Sequence, residues 1–285
     1  RLLVPMFIDK TGVLWIRTDA VGVCLLNRKL QAFKTAPYIG RNVMGTKRAI
    51  VNSFTEGDSN GLLEFSPLTR QFKKLVPNTV FELKKNHSLF DFMDHRGRFW
   101  KVNSQGAPLN ILLQYDTATK KLSRHDFGFK HILHVFEDHD NKLWVVHRDG
   151  PDLLDIYLSR LDKFYKTVEQ AYHLPVKQVN ADGRFLSGQW EDAKHILWLA
   201  TDVGLFSLDP YQTDEKKLWK HWKNIPGDNS SLSADKMISL CPDPREPQRY
   251  LWLGTRAGFN RFEMVTGKSI RFSEKDGLAN NVAYD

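Results

Sequence analysis

A short motif built around tryptophan recurs along the chain, and it constrains the fold more than any other feature. Its clearest copy is Leu251-Trp-Leu-Gly-Thr255, followed by Gly258 and an apolar run. Similar copies begin at Leu14 and Leu197, and weaker ones surround Trp100 and Trp144. A degraded copy has phenylalanine in place of tryptophan. Six units are therefore visible, centred near Trp15, Phe54, Trp100, Trp144, Trp198 and Trp252. Such a period indicates a repeat architecture.

Each unit has the same internal order of short segments. An apolar segment is followed by a polar turn that opens with Asp and closes with Gly, as in Asp9 to Gly12 and Asp94 to Gly97. Asp and Gly suit turns because Asp bonds the backbone ahead and Gly takes positive φ. The tryptophan segment, a segment that starts with Gly and a last segment complete the unit. This order predicts an all-β fold, a β-propeller of four-stranded antiparallel blades, with six blades recognisable.

The recurrent tryptophan has two interpretations, a ligand-stacking residue or a packing residue. Its recurrence at one strand position favours packing. A tryptophan that buries about 150–250 Å² gains about 4–6 kcal/mol of transfer free energy. Placed between blades, it explains why a unit that cannot fold alone stacks on its neighbour. Trp190, Trp219 and Trp222 fall outside the repeat position and are the freer aromatic residues.

Composition narrows the class of protein. The chain has 285 residues, 41% hydrophobic and 26% charged, which is typical of a folded soluble protein rather than a disordered one. No apolar run approaches the roughly 20 residues of a membrane span. The formal net charge of +8 favours acidic partners, but the positive charges are scattered. A basic surface without a polyanion partner is the simpler interpretation, so we expect no nucleic acid and no direct membrane contact.

The repeat resembles that of the two-component-regulator propeller family. The resemblance rests on Leu251-Trp-Leu-Gly-Thr255, on Gly258-Phe-Asn-Arg-Phe-Glu263 and on Thr266-Gly267. The segment Asp228 to Met237 is similar to that family's D-x-x-S-L-S connection into the next blade, as is Asp276 to Val282. The resemblance spans nearly the whole chain. The resemblance is strongest in the first, fifth and sixth sequence repeats and weakest in the second.

The resemblance implies a fold and a function that the composition does not. Repeats of this family build seven-bladed propellers in the extracytoplasmic sensor regions of membrane-spanning histidine kinases, often hybrids with a response regulator. Many of these kinases, from Bacteroidetes, sense oligosaccharides. The resemblance implies a periplasmic location for this segment, as part of an inner-membrane protein, and a homodimer formed through the parent protein.

The extent of the domain is predicted from the same pattern. We expect residues 1–285 to form a single propeller domain. Because the chain starts at Arg1 in a strand-like segment and stops at Asp285, where a further blade should begin, we expect it to be a fragment of a larger sensor region. A seventh blade is then missing or supplied elsewhere.

The sequence lacks the motifs of phosphate-binding loops and of kinases. Gly267-Lys-Ser269 has the tail of a phosphate-binding loop, but Phe262 stands where the first Gly must be. A phosphoacceptor-histidine motif and a Gly-rich nucleotide pocket are both lacking, so the segment itself is not predicted to be an enzyme. No cofactor is implied. An enzymatic alternative remains, because streptogramin lyase has a related repeat and uses His and Glu with a magnesium ion.

Histidines are concentrated in unit four and raise the question of a metal site. His131 and His134 are three apart on a predicted strand, which places them on opposite faces. Glu137 to Asn141 suggests a calcium loop but lacks its Gly and distal Glu. We therefore predict no metal site.

The candidate ligand site is the face of the propeller that carries the loops after the tryptophan strands. Arg17 takes the place of a small residue, Gly254, and needs open space there. Arginine binds carboxylate or sulfate groups bidentately, and carboxylates and amides bond sugar hydroxyls, while tryptophan stacks on a sugar ring. The predicted ligand-binding residues are Arg17, Asp19, Asn103, His147, Arg148, Asp202, Arg256 and Trp222.

The sequence thus predicts a ligand-sensing propeller of a two-component sensor histidine kinase. The expected partner is a small ligand, most simply an oligosaccharide, whose binding is transmitted to a cytoplasmic kinase. Two alternatives stay open. A lyase-like propeller would need a His/Glu pair and a divalent ion at the mouth, and an interaction scaffold would show a large apolar patch on an outer blade face.

Overall fold

The tryptophan segments form the second strand of four-stranded antiparallel sheets. The computed structural model describes residues 92–102, 110–150, 153–176 and 185–272 with their side chains, and it describes the backbone alone of the strands between residues 3 and 77 and of Lys177. Within these residues there are six such sheets, each with its strands in chain order. The predicted all-β architecture of four-stranded blades is confirmed.

The first three sheets are numbered in chain order. Sheet one contains β1 (Leu3–Ile8), β2 (Leu14–Thr18), β3 (Gly22–Asn27) and β4 (Ala32–Ala36). Sheet two contains β5 (Arg41–Asn42), β6 (Ala49–Ser53), β7 (Gly61–Ser66) and β8 (Gln71–Pro77). Sheet three contains β9 (Phe92–Met93), β10 (Arg98–Val102), β11 (Ile111–Asp116) and β12 (Lys121–Asp126).

The remaining sheets follow the same plan. Sheet four contains β13 (His131–Glu137), β14 (Leu143–Asp149), β15 (Asp155–Leu161) and β16 (Val168–Lys177). Sheet five contains β17 (Leu186–Glu191), β18 (Leu197–Thr201), β19 (Gly204–Leu208) and β20 (Trp219–Trp222). Sheet six contains β21 (Met237–Pro242), β22 (Tyr250–Thr255), β23 (Gly258–Glu263) and β24 (Ser269–Phe272). The helix α1 (Glu215–Leu218) precedes β20. In the described part of the chain, no helix has the length and apolar character needed to cross a membrane.

The sheets belong to two compact units. Unit 1 comprises residues 1–38 and 182–285, with sheets one, five and six, and unit 2 comprises residues 39–181, with sheets two, three and four. In unit 1, Trp198, Leu205, Leu232 and Phe262 belong to one buried core. Unit 2 has its own core around Trp100, where sheets three and four pack together. The prediction of one domain over residues 1–285 stays a prediction.

The second-strand tryptophan of each of sheets three to six donates its indole N–H to an aspartate in the preceding turn. The pairs are Trp100–Asp94 at 2.9 Å, Trp144–Asp138 at 2.7 Å, Trp198–Asp192 at 3.1 Å and Trp252–Asp243 at 3.0 Å. The other carboxylate oxygen accepts backbone N–H groups of the turn, for example those of Lys194 and Ile196. The aspartate that opens the turn therefore also fixes the tryptophan ring, a role that the turn pattern alone did not indicate.

The strand register corrects one anchor. In sheet two, Ser53 pairs with Gly61 and Ile50 with Glu64, as Thr201 pairs with Gly204 and Trp198 with Ser207 in sheet five. Ile50, rather than Phe54, therefore occupies the tryptophan position. Alignment on the nearest aromatic residue failed here because the second strand of sheet two has isoleucine at that position, and Phe54 lies outside the described strands.

The first strands of sheets four, five and six, β13, β17 and β21, each carry an extra residue at the same position. The register shifts at Leu133, Ser187 and Ile238, each three positions before the residue opposite the tryptophan. Such bulges bend a strand and interrupt its alternation. The Ser187 hydroxyl donates to the carbonyl of Met237 at 2.8 Å, and this bond joins β17 to β21.

Candidate functional site

The two ends of every sheet differ in the loops that they carry. One end, here called the mouth edge, holds the loop between the second and third strands and the connection into the next sheet. The other end, the turn edge, holds the aspartate turns and the loop between the third and fourth strands. The sequence placed its candidate site at the mouth edge. In unit 1 that edge consists of residues 201–204, 223–236 and 255–258, and in unit 2 the described part is residues 127–131 and 147–150.

The mouth-edge loops of sheets five and six are closed by threonine. The Thr201 hydroxyl donates to the carbonyl of Gly204 at 2.7 Å and accepts the N–H of Val203. Thr255 makes the same two bonds with Gly258 and Ala257. Both threonines are buried, and both glycines have positive φ. The Thr-x-x-Gly part of the repeat therefore builds a rigid two-residue tip rather than a binding group.

The tips present Asp202 and Arg256. The Asp202 N–H donates to the carbonyl of Phe185 at 3.1 Å, and the Arg256 N–H donates to the carbonyl of Lys236 at 3.2 Å. Each bond joins the tip to the residue just before the first strand of its own sheet, β17 or β21. Asp202 is half-buried and Arg256 is exposed. The same backbone position in two sheets thus carries an anionic and a cationic side chain at one edge of unit 1.

The connection between sheets five and six is held by its own polar residues. Ser233 accepts from Asn260 Nδ2 at 2.7 Å and bonds the Thr255 hydroxyl at 2.7 Å. The Arg271 guanidinium donates to the carbonyls of Asp228 and Leu232 and to the Ser231 hydroxyl. Leu232 is buried in the core. The serines of the D-x-x-S-L-S motif are therefore structural, and they support the tip on which Arg256 lies.

In unit 2, His147 and Arg148 are buried. The His147 ring stacks on Phe129 with centroids 3.9 Å apart and on Tyr157 at 5.5 Å, and its Nε2 bonds the Ser159 hydroxyl at 2.8 Å. Burial lowers the pKa of His147 to about 4, so the ring is neutral near pH 7. Arg148 is only 2% exposed. These contacts pack His147 in the interior of unit 2, and the ligand-binding roles of His147 and Arg148 stay predictions.

The mouth edge of unit 2 contains an ion pair that the sequence analysis did not predict. Lys130 Nζ lies 3.1 Å from Asp149 Oδ1 and donates to the carbonyl of Gly150 at 3.0 Å. The hydrogen bond from Lys130 is the main cause that lowers the pKa of the Asp149 carboxyl. Lys130 precedes β13 and Asp149 ends β14, so only the register of these strands brings the two residues together.

Trp222 packs in the core of unit 1. Its ring stacks on Trp198 with centroids 5.3 Å apart and meets the edge of Phe262 at 5.3 Å. His221 stacks on Phe206 at 3.8 Å on the opposite side of β20, and burial lowers its pKa. The nearby glycine, Gly267, has no room for a side chain because a Cβ there would meet the Trp222 indole. These aromatic residues are therefore explained by packing between strands.

The other predicted ligand residues cannot be placed with their side chains. Asp19 and Asn103 lie outside the described residues, and Arg17 is described by its backbone alone. The register pairs Arg17 with Val4 and Val23, the position that Gly254 occupies in sheet six. All three residues stay predictions.

The structure places two of the histidines concentrated in repeat unit four differently from the prediction. The extra residue Leu133 places His131 and His134 on the same face of β13, so the expectation of opposite faces from strict alternation was wrong. His125 and His147 are part of a run of stacked rings with Phe127 and Phe129. Among the described residues, no group of three or more His, Cys, Asp or Glu side chains could hold a metal ion.

Comparison with known proteins identifies the fold. No family profile matches the sequence, and no curated protein sequence matches it. Solved structures do match. PorZ, a surface component of the type-IX secretion system of Porphyromonas gingivalis, is 13% identical at a TM-score of 0.55, over 96% of this chain and 42% of PorZ. An auxiliary nutrient-binding protein from Bacteroides thetaiotaomicron is 11% identical at a TM-score of 0.54, over 89% of this chain and 67% of that one.

The extracellular domain of a hybrid two-component system is also matched. This domain, from B. thetaiotaomicron, is 14% identical at a TM-score of 0.47, over 99% of this chain and 47% of its own length. Enzymes are present among the other matched structures. The chain thus spans about two fifths of PorZ and about half of the two-component domain. At these identities the likeness concerns the fold alone. The chain has a β-propeller fold of four-stranded blades.

Proposed function

We propose that this chain is the ligand-recognition part of a periplasmic sensor region of a two-component histidine kinase, and that its ligand is an oligosaccharide with acidic groups. The resemblance of the repeats to the two-component-regulator propeller supports the sensor role. The match to a two-component extracellular domain and to a nutrient-binding protein agrees with it. The kinase, its membrane anchor and a homodimer formed through the parent protein belong to the same proposal.

The observation that carries the proposal is the pair of rigid tips at the mouth edge of unit 1. Asp202 and Arg256 occupy equivalent positions, and a backbone hydrogen bond ties each tip to its own sheet. A preformed tip does not have to be ordered when a ligand binds, which reduces the entropy cost of binding. The Arg256 guanidinium suits a carboxylate or sulfate group, and the Asp202 carboxylate suits sugar hydroxyls.

The arrangement supports binding rather than catalysis. A lyase-like reaction needs a His/Glu pair and a divalent ion at the mouth. The His–Glu pairs His95–Glu137 and His195–Glu191 lie at the turn edge instead. In the proposed role, ligand binding changes the packing of the propeller against a neighbouring domain. The signal depends on the difference in affinity between the two packing states.

A thermal-shift screen tests this proposal. Oligogalacturonate serves as the acidic probe and a malto-oligosaccharide as the neutral one, each with and without magnesium. We expect oligogalacturonate to raise the melting temperature and Arg256→Ala to abolish the shift. Arg245→Ala, which removes an exposed arginine at the turn edge, is the matched control and should leave the shift unchanged.

Other results of the screen point to other functions. Stabilisation by magnesium alone would favour the lyase-like alternative. A shift that Arg256→Ala and Arg245→Ala reduce equally would reflect general attraction to a basic protein rather than a mouth-edge site. No shift with any probe would contradict the saccharide ligand and favour an interaction scaffold.

A further inference from the structure

A bond between neighbouring sheets recurs at the turn edge of both units. The residue that follows the turn aspartate donates its backbone N–H to a side chain of the next sheet. In unit 2, His95 donates to Glu137 Oε2 at 2.7 Å, which ties sheet three to sheet four. In unit 1, Ala193 donates to Gln248 Oε1 at 2.8 Å, which ties sheet five to sheet six. We call this bond the turn tie.

Sheet six cannot donate a turn tie. Its turn aspartate, Asp243, has the same role as Asp94 and Asp192, because its Oδ1 accepts the backbone N–H of Arg245 two residues ahead. The residue that follows Asp243 is Pro244, and proline has no backbone N–H. Sheet six therefore has no N–H group to donate at this position, although its turn has the same hydrogen bond to the aspartate.

The neighbour of sheet six lacks an acceptor at the position that unit 2 uses. Within unit 1, β21 lies against β1, so sheet one borders sheet six. Glu137 receives the tie at the last position of β13, opposite Leu143, and the equivalent residue of β1 is Ile8, opposite Leu14. Isoleucine has no polar side-chain atom. The other acceptor, Gln248, lies in the turn after β21, and the turn after β1 is outside the described residues. The junction of sheets six and one thus lacks the donor of the bond and an acceptor at the Glu137 position.

We propose that the junction between sheets six and one is the seam at which unit 1 opens, a conformational step that leaves every sheet intact. A typical hydrogen bond stabilises a folded state by a factor of about five. A junction without the tie therefore separates more readily than the tied junction of sheets five and six. The seam does not depend on the proposed ligand, so the unliganded chain tests it.

A native reporter of the seam is Cys241. It lies opposite Trp252 in β21, and residues paired across strands share one face of a sheet. The equivalent tryptophan of sheet five, Trp198, packs on Phe262 of the next sheet, so in sheet six this face points towards sheet one. The Cys241 thiol is free, and burial together with Asp243 raises its pKa to about 11. It reacts slowly while the seam is closed, because the thiolate is the reactive form.

The experiment measures the rate at which Ellman's reagent labels Cys241, in a Cys24→Ala background and at several urea concentrations below unfolding. We expect labelling with a weak urea dependence, because opening a seam exposes less surface than unfolding. Pro244→Ala combined with Ile8→Glu supplies both halves of a turn tie and should slow labelling about fivefold. Ile8→Glu alone supplies an acceptor without a donor and should leave the rate unchanged.

A variant at the tied junction serves as the control. Ala193→Pro copies the turn of sheet six into sheet five and removes the donor to Gln248. It should lower the stability of the protein without changing the labelling rate of Cys241. Labelling of Cys241 with the full urea dependence of global unfolding would overturn the proposal. So would a double variant that labels no more slowly than Ile8→Glu alone.

Discussion

At the scale of single residues, the turn aspartates of sheets three to six use both carboxylate oxygens. In sheet five, Asp192 accepts the Trp198 indole with one oxygen and two backbone N–H groups with the other, while being 7% exposed. Buried donors that lose their acceptor are costly, about 1–3 kcal/mol each. This carboxylate therefore stabilises both the turn and the position of the tryptophan.

Replacing Asp192 by Ala should lower the free energy of unfolding by about 3 kcal/mol, because the buried indole N–H loses its acceptor and the turn loses its cap. Asp116→Ala is the control, since Asp116 caps an exposed turn with two backbone bonds but bonds no tryptophan. That change should cost about 1 kcal/mol. Urea denaturation of both variants measures the difference, and equal losses would contradict the role assigned to the indole bond.

The buried His147 gives the protein a pH dependence of defined sign. Its pKa is lowered from 6.5 to about 4 by burial, whereas in the unfolded chain it returns to about 6.5. Between these pH values the unfolded state binds the proton and the native state does not. The stability contributed by the neutral ring is complete above pH 6.5 and is lost progressively as the pH falls towards 4, by about 3 kcal/mol in total.

His147→Phe removes the titration while it keeps an aromatic ring in the stack. Compared with the wild type, the variant should lose about 3 kcal/mol less stability between pH 6.5 and pH 4. Urea denaturation as a function of pH measures this difference. Parallel stability curves for the two proteins would show that His147 titrates normally in the native state.

At the scale of elements, the loop between the second and third strands depends on glycine. Gly204 has a φ of +125°, and a Cβ there would lie 2.5 Å from the carbonyl oxygen of Trp222. Gly204→Ala should therefore destabilise the protein by about 3 kcal/mol through strain and steric conflict. Gly227→Ala is the control, because Gly227 also has positive φ (+85°) but nothing within 4 Å of its Cβ position. It should cost about 1 kcal/mol in a thermal-denaturation comparison, and similar losses would refute the steric argument.

Much of the element plan could be predicted from the sequence, since the tryptophan motif recurs at a fixed strand position. The order of four strands in each sheet was predicted correctly. Sheet two was misaligned because its second strand has Ile50 where the other described sheets have tryptophan. The bulges and the turn ties were not predictable, because each depends on the register between two strands or on contact between two sheets.

The candidate site was less predictable than the fold for a physical reason. Alignment on tryptophan identifies which residues are equivalent, but it does not tell which of them point inwards. His147 and Thr201 occupy equivalent positions, three residues after the tryptophan of their sheets, and both are buried. Arg256, four residues after the tryptophan of sheet six, is exposed. Lys130 was missed because its partner Asp149 is distant in sequence.

At the scale of the whole molecule, the proposed function assigns binding to one of the two edges of the sheets. The turn edge holds the aspartate–tryptophan bonds and the turn ties, and the mouth edge of unit 1 holds the tips with Asp202 and Arg256. In the proposed function, the net charge of +8 adds long-range attraction for the acidic saccharide. Recognition at the mouth edge is the central claim.

Amide hydrogen exchange with and without oligogalacturonate tests that claim most directly, since it reports on each segment separately. We expect slower exchange in residues 201–204 and 255–258, with no change in the turns at residues 192–196 and 243–249 of the same sheets. Protection confined to the turn edge, or spread evenly over both edges, would contradict recognition at the mouth edge.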